Sequence, residues 1–165
     1  MSKPATFLFV LALSLPALAH GSDGIVRHKT PGSTFPIAAA VEVPAGRTTV
    51  YVSGKVPTVV DAAAPKDSVA AYGDTRTQTL SVLKVIEAQL KDLGLTMGDV
   101  VKMQVFLAGD PAKDGKMDFA GFMEAYSQYF GTEAQPNLPA RSTMQVAALV
   151  NPGFLVEIEV TAVRP

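Results

Sequence analysis

The chain has 165 residues, 14 Lys or Arg against 15 Asp or Glu, a formal net charge of -1 and no Cys. Near-neutral charge excludes the electrostatic footprint of a nucleic-acid binder or of a protein held on anionic lipid. The lack of Cys excludes a thiol nucleophile, a Cys-ligated zinc and any disulfide framework.

The first 19 residues, MSKPATFLFVLALSLPALA, carry one charge, Lys3, then an apolar run that Pro16 breaks, then the small-x-small triplet Ala17-Leu18-Ala19. That is the layout of a cleavable signal peptide. The apolar run is shorter than the roughly 20 residues a membrane-spanning helix needs. Cleavage is expected after Ala19. The mature chain then starts at His20 with thirteen basic and fifteen acidic residues. It is expected to be periplasmic or secreted and not held in a membrane. Its length suits one domain with a real core.

Residues 20–36 are rich in Gly, Ser, Thr and Pro and read as an arm with little structure; the domain is expected over 37–165. AAAVEVP and TTVYVSG flank Ala45-Gly46 and predict a hairpin. An Ala/Pro/Asp-rich connection leads to Asp74 or Thr75, either of which suits a helix N-cap. Leu80, Leu83, Ile86 or Glu87, Leu90 and Leu93 then recur at helical spacing, and Gly94 is placed to end the helix. DVVKMQVFL alternates as a strand, with Val101, Met103, Val105 and Leu107 on one face. A loop over 109–115 precedes Asp118, the expected cap of a second helix with the stripe Phe119, Phe122, Met123, Tyr126, Tyr129 and Phe130. That stripe reads as core, and Gly131 ends it. Two last strands flank Asn151-Pro152-Gly153, a turn tripeptide. The order β-β-α-β-α-β-β predicts a two-layer α+β domain with both helices on one face of a mixed sheet.

The other sheet face is expected to carry Lys102, Gln104 and Phe106; Thr143, Gln145 and Ala147; and Glu157, Glu159 and Thr161. Pattern alone leaves it equally an open polar face or an interface between subunits. If 142–148 and 154–163 pair as a simple hairpin, Glu157 lies by the turn and Arg141 opposite Val163. About 20 Å then separates them, so they can share a small-molecule site only across a symmetric interface. On residue type alone, Arg141 reads first as a surface residue capping a strand, and Glu157 as an interface ion pair, for instance with Lys102.

Five stretches occur in an order that resembles the RidA/YjgF family of reactive-intermediate deaminases: VYVSGKVP, VLKVIEAQLKDLGLTMGDVVKMQVFL, FMEAYSQYFG, LPARSTMQVAAL and VEIEVTAV. The similarity spans residues 35–163, and PARS followed by VEIE is its specific part. The resemblance implies a chorismate-mutase-like fold and a homotrimer, with sheets inside, helices outside and active sites in clefts between subunits. It implies hydrolysis of enamine or imine intermediates, such as 2-aminoacrylate, to 2-oxo acids and ammonia, with no metal or organic cofactor. Carried over by position, Arg141 binds the substrate carboxylate, assisted by the backbone N–H of Thr143, and Glu157 positions the attacking water. Ser53 and Gly54 line the cleft.

Two positions depart from the family pattern. Ile37 stands where members commonly carry a Tyr that contacts substrate, and Lys55 where they usually have Gln. Lys55 could add a carboxylate contact or pair with Glu157, and Glu159 could take Glu157's ionic part. The alternatives to a deaminase are a non-catalytic trimer that binds small carboxylates and, more weakly, a structural or chaperone-like oligomer. Classical hydrolase motifs are missing: there is no G-x-S-x-G, and the only histidines are His20 and His28.

Overall fold

The computed structural model describes residues 24–165; the expected signal segment lies outside them. Among the described residues, six strands and two α-helices form: β1 (Val26–His28), β2 (Ala40–Glu42), β3 (Thr49–Lys55), α1 (Thr75–Asp92), β4 (Val100–Ala108), α2 (Phe119–Tyr126), β5 (Ala140–Val146) and β6 (Val156–Val163). The main sheet has the order β3-β6-β4-β5, with β4 and β5 parallel and the other neighbours antiparallel. This is the predicted α+β arrangement, a mixed sheet with two helices, of chorismate-mutase-like type.

The helices form where capping and apolar spacing agree. Asp74 accepts a hydrogen bond from the Thr77 N–H at 2.8 Å, and Asp118 accepts from Gly121 N–H at 3.2 Å. Gly94 takes φ +71 just after α1, as its placement predicts, whereas α2 ends early, at Tyr126 with Ser127 as its C-cap, so that Gly131 (φ +75), expected to end it, lies in the following turn. Val82, Leu83, Ile86 and Leu90 of α1 are fully buried. Each such side chain stabilises the fold by about 1.5–3 kcal/mol. The buried stripe also takes in Gln78 and Thr79, whereas Leu80 and Leu93 stay half-exposed. Met103, Val105 and Leu107 of β4 meet the buried stripe across the layer boundary.

Three expectations give way. The arm is not structureless: β1 lies in it and pairs with β2, from Val26↔Glu42 to His28↔Ala40. The Arg27 guanidinium ties that pair down, donating to the carbonyls of Val100 (2.8 Å), Leu138 (2.8 Å) and Gly98 (2.9 Å). The expected hairpin of 38–44 with 48–54 does not form, because β2 pairs with β1 while β3 pairs with β6. Nor do the last two strands pair with each other. β5 runs parallel beside β4 at the sheet edge, and β6 inserts between β3 and β4. A tight turn at Asn151-Pro152-Gly153 is present, with the Asn151 side chain accepting from Gly153 N–H at 2.8 Å. It redirects the chain to a different row instead of folding it back on its neighbour.

Gln78 holds that redirection. Its amide donates to the Gly73 and Gly153 carbonyls (2.8 and 2.9 Å) and its oxygen accepts from Leu155 N–H (2.7 Å), all in the core. Gly153 sits so close to the Ser68 carbonyl that a Cβ there would collide with it. Replacing Gln78 with Ala strands buried backbone groups on two segments. We expect a loss of about 2–4 kcal/mol in urea unfolding with the slope unchanged.

Candidate functional site

Arg141 opens the edge strand β5. Parallel pairing sets it opposite Met103, Ser142 opposite Gln104 and Thr143 opposite Val105. Paired residues share a face, so Arg141 and Thr143 point to the helix layer with Met103 and Val105. Ser142 and Met144 take the second face with Gln104 and Phe106, and Lys102 Nζ lies 3.4 Å from the Ser142 hydroxyl there. This corrects the expectation that Thr143 and Gln145 line the second face. Their polarity mimicked that of Lys102 and Gln104, but the register runs odd against odd.

On the helix side the Arg141 guanidinium is held among aromatic rings. Its Cζ lies 4.2 Å from the ring centre of Tyr126, 4.9 Å from Phe122, 5.4 Å from Phe35 and 6.0 Å from Phe119. Cation–π attraction of this kind strengthens as water is removed. The rings support one another: Phe119, Phe122, Tyr126 and Phe130 follow in a series of centroid spacings from 4.9 to 6.1 Å. Phe35, reaching in from the arm, stacks on Phe119 at 6.4 Å and is 43% exposed, whereas Phe122 and Tyr126 are fully buried. The stripe read from sequence as core is core, and it is also the cage of Arg141. Nothing in its spacing distinguishes the two uses.

The rings satisfy charge but accept few hydrogen bonds. Arg141 Nη2 donates to the Met123 sulfur, at 3.3 Å, and Nη1 is buried with no partner. Burial lowers the Arg141 pKa from its ordinary value, and the neighbouring Tyr126 oxygen opposes that shift. Burial pushes the Tyr126 phenol up to about 12, against the pull of the Arg141 charge. The Tyr126 hydroxyl donates to the Pro36 carbonyl at 2.8 Å, tying the arm to α2. Ala38 also bonds across to the start of β5, its N–H donating to the Pro139 carbonyl at 3.0 Å. Peptide groups alternate along a strand, so the Thr143 N–H is turned to that same outer edge, where the sheet has no further strand.

Glu157 lies elsewhere. It pairs with Phe106 on the second face, and its carboxylate packs against Gly54 so closely that a Cβ on Gly54 would overlap it. The room comes from a bulge: β3 spends Val52 to Lys55 against Val160 to Ile158, and Ser53 and Gly54 form the extra length. The structure thus brings Glu157, Ser53 and Gly54 together. It does not bring Arg141 to them. Arg141 lies on the row of Met103 and Val160, two strands over and three residues along from Glu157. That is about 14 Å between Cα positions, and the side chains leave opposite faces.

The expected 20 Å hairpin separation is therefore replaced by a different one with the same consequence. Lys55 pairs with Ile158, a helix-side residue, and not with Glu157. Lys102 sits opposite Thr161, away from Glu157. Glu159 is opposite Gln104 and lines a concavity of about 300 Å³ with Tyr51, Ser53, Lys102 and Thr161. Ile37 lines a separate pocket of about 220 Å³ with Phe35, Pro36 and Leu138. A wider groove of about 820 Å³, between Lys84, Lys91 and Asn137, contains none of these residues. Among the described residues no group of three or more His, Asp or Glu is arranged to hold a metal ion.

Residues 28–164 match the family described as Endoribonuclease L-PSP. A RutC family protein of Pyrococcus abyssi is 33% identical over 140 residues, 85% of this chain and 95% of that protein. TdcF of Escherichia coli, named as a proposed reactive intermediate deaminase, is 32% identical over 140 residues, again 85% and 95%. The crystal structure of E. coli TdcF with bound serine matches with a TM-score of 0.55 over 86% of this chain and 98% of that one. The E. coli YjgF gene product matches with a TM-score of 0.56 at 29% identity, over 82% and 93%.

The raised Tyr126 pKa has a signed consequence. A phenol that holds its proton more tightly when folded contributes stability fully below pH 10, and that contribution is lost as pH climbs through about 12. In an alkaline titration followed by tyrosinate absorbance, Tyr126 should ionise late, near pH 12. Tyr126→Phe should remove that step.

Proposed function

Because the chain belongs to the Endoribonuclease L-PSP family, that of RidA and YjgF, we propose that it hydrolyses reactive 2-imino acids and their enamine tautomers to 2-oxo acids and ammonia. The observation that carries this reading is Arg141 Nη1, buried in an aromatic cage without a partner. A cation so placed lacks an anion, and a planar guanidinium suits a carboxylate. Held there, the substrate presents its C=N carbon to water. Water adds to that carbon, one of its protons passes to the nitrogen, and the carbinolamine collapses to ketone and ammonia. Glu157 is the group of suitable chemistry to take and return the proton. The imine is electrophilic enough that positioning supplies much of the acceleration.

Arg141 and Glu157 are too far apart in one chain, so the reading requires a second copy. A homotrimer with Arg141 of one subunit facing Glu157, Ser53 and Gly54 of the next would complete the cleft. The second sheet face supports burial between copies: Tyr51 is 82% exposed and Met144 40%. The chain is also proposed to act outside the cytoplasm once its first 19 residues are removed; N-terminal sequencing of the exported protein should then begin at His20.

A second reading, a trimer that binds small carboxylates without turning them over, is favoured by Ile37, which puts an alkyl group beside Phe35 where the family carries a phenol.

The test is ammonia release from 2-imino acids generated in situ by an amino-acid oxidase. Arg141→Ala and Glu157→Gln should each lower kcat/KM by about a hundredfold or more. Refolding the two variants together should restore activity, because about a quarter of the mixed sites then hold both native side chains. No release by the parent chain overturns the deaminase reading, and retained carboxylate binding then establishes the second one. No restoration on mixing overturns the shared cleft.

A further inference from the structure

Among the described residues three buried side-chain polar atoms have no partner: Thr75 Oγ1, Arg141 Nη1 and Thr143 Oγ1. Two of the three sit on one strand, two residues apart, facing the same way. Native interiors rarely leave such atoms unpaired, since each costs about 1–3 kcal/mol when buried alone. The third polar side chain of that row is treated differently. Gln145 accepts from Met117 N–H at 3.0 Å and donates to the Gly115 carbonyl at 2.9 Å, so both ends of its amide are used to hold the loop before α2. Arg141 and Thr143, by contrast, are left incomplete side by side. Consecutive same-face residues on a strand stand about 6.6 Å apart at Cα, a span that one carboxylate between the two side chains can bridge.

We propose that the Thr143 hydroxyl is a binding group for the ligand carboxylate, donating to it alongside Arg141 Nη1. This rests on the carboxylate reading of Arg141 and adds a side chain to it. The Thr143 N–H turns to the open edge of the same strand, so a single residue offers the anion both its hydroxyl and its amide. Arg141 and Thr143 together then present three donors to two oxygens. A Val in place of Thr143 would fill the same volume and satisfy the apolar surroundings better. The hydroxyl is therefore a cost to the empty protein that only an occupant offsets. Both atoms are shielded from solvent, and of the rings around Arg141, Phe35 is the exposed one and belongs to the arm instead of a helix. Entry to the two donors runs past that ring.

The test uses the full mature protein, with pyruvate as the probe in titration calorimetry and melting followed without ligand. Thr143→Val should weaken pyruvate binding about tenfold, the loss of one hydrogen bond to a charged group, and leave the melting temperature unchanged or raised. Thr143→Ser, which keeps the hydroxyl, should bind within about threefold of the parent. In turnover assays the loss in the Val variant should fall on KM more than on kcat. Unaltered pyruvate affinity in Thr143→Val overturns this inference while leaving Arg141 as the carboxylate ligand. A lowered melting temperature in the Val variant also overturns it, by showing that the hydroxyl supports the fold. If the parent binds no pyruvate and Arg141→Ala changes nothing, the reading of Arg141 fails first and this one with it.

Discussion

A guanidinium surrounded by rings is attracted to them but not satisfied by them. In this protein that constraint falls on Arg141, which is set against Tyr126, Phe122, Phe119 and Phe35 and keeps one nitrogen without an acceptor. Tyr126, Phe122 and Phe119 draw their positions from the apolar stripe of α2, and the stripe from a helix capped by Asp118; Phe35 comes from the arm. The fold therefore sets the cation's place by packing alone. A preorganised donor of that kind costs stability in the empty state and returns it on binding.

The same sheet that presents Arg141 keeps it from Glu157. β6 runs between β3 and β4, so the carboxylate lands beside the Ser53–Gly54 bulge on one face while the guanidinium leaves the other face near the opposite edge. Each half of the arrangement is locally well made. The bulge opens space for Glu157, and the arm closes over Arg141 through Tyr126, Pro36 and Ala38. Neither half contains the other's chemistry. A site assembled from both needs two copies of the chain. The polar second face studded with Tyr51, Phe106 and Met144 suits such contact better than it suits water.

Much of this was legible before any coordinate. Asp74 and Asp118 announced the helix starts, Gly94 the end of α1, and the alternation of Met103, Val105 and Leu107 the buried face of β4. The PARS and VEIE stretches pointed to Arg141 and Glu157, and the structure sets those two on separate surfaces. Less was legible where a segment's partner lies far away in sequence. Val26–His28 is too short and polar to read as a strand, and it becomes one because Arg27 finds three carbonyls around residues 98–138. The aromatic stripe of α2 hid its second role, since core packing and a cation cage ask for the same side chains at the same spacing.

Local chemistry settles what each segment does by itself: caps, turns and periodicity act over four or five residues, and composition alone ruled out thiol chemistry. Which strand neighbours which is a matter of register, and register depends on side chains far apart in sequence packing together. The turn at Asn151-Pro152-Gly153 has the same local geometry whether the strands beside it pair or part. The tertiary structure, with the Gln78 clamp beside the turn, sets β6 between β3 and β4, and with it sets Glu157 on the face opposite to that of Arg141.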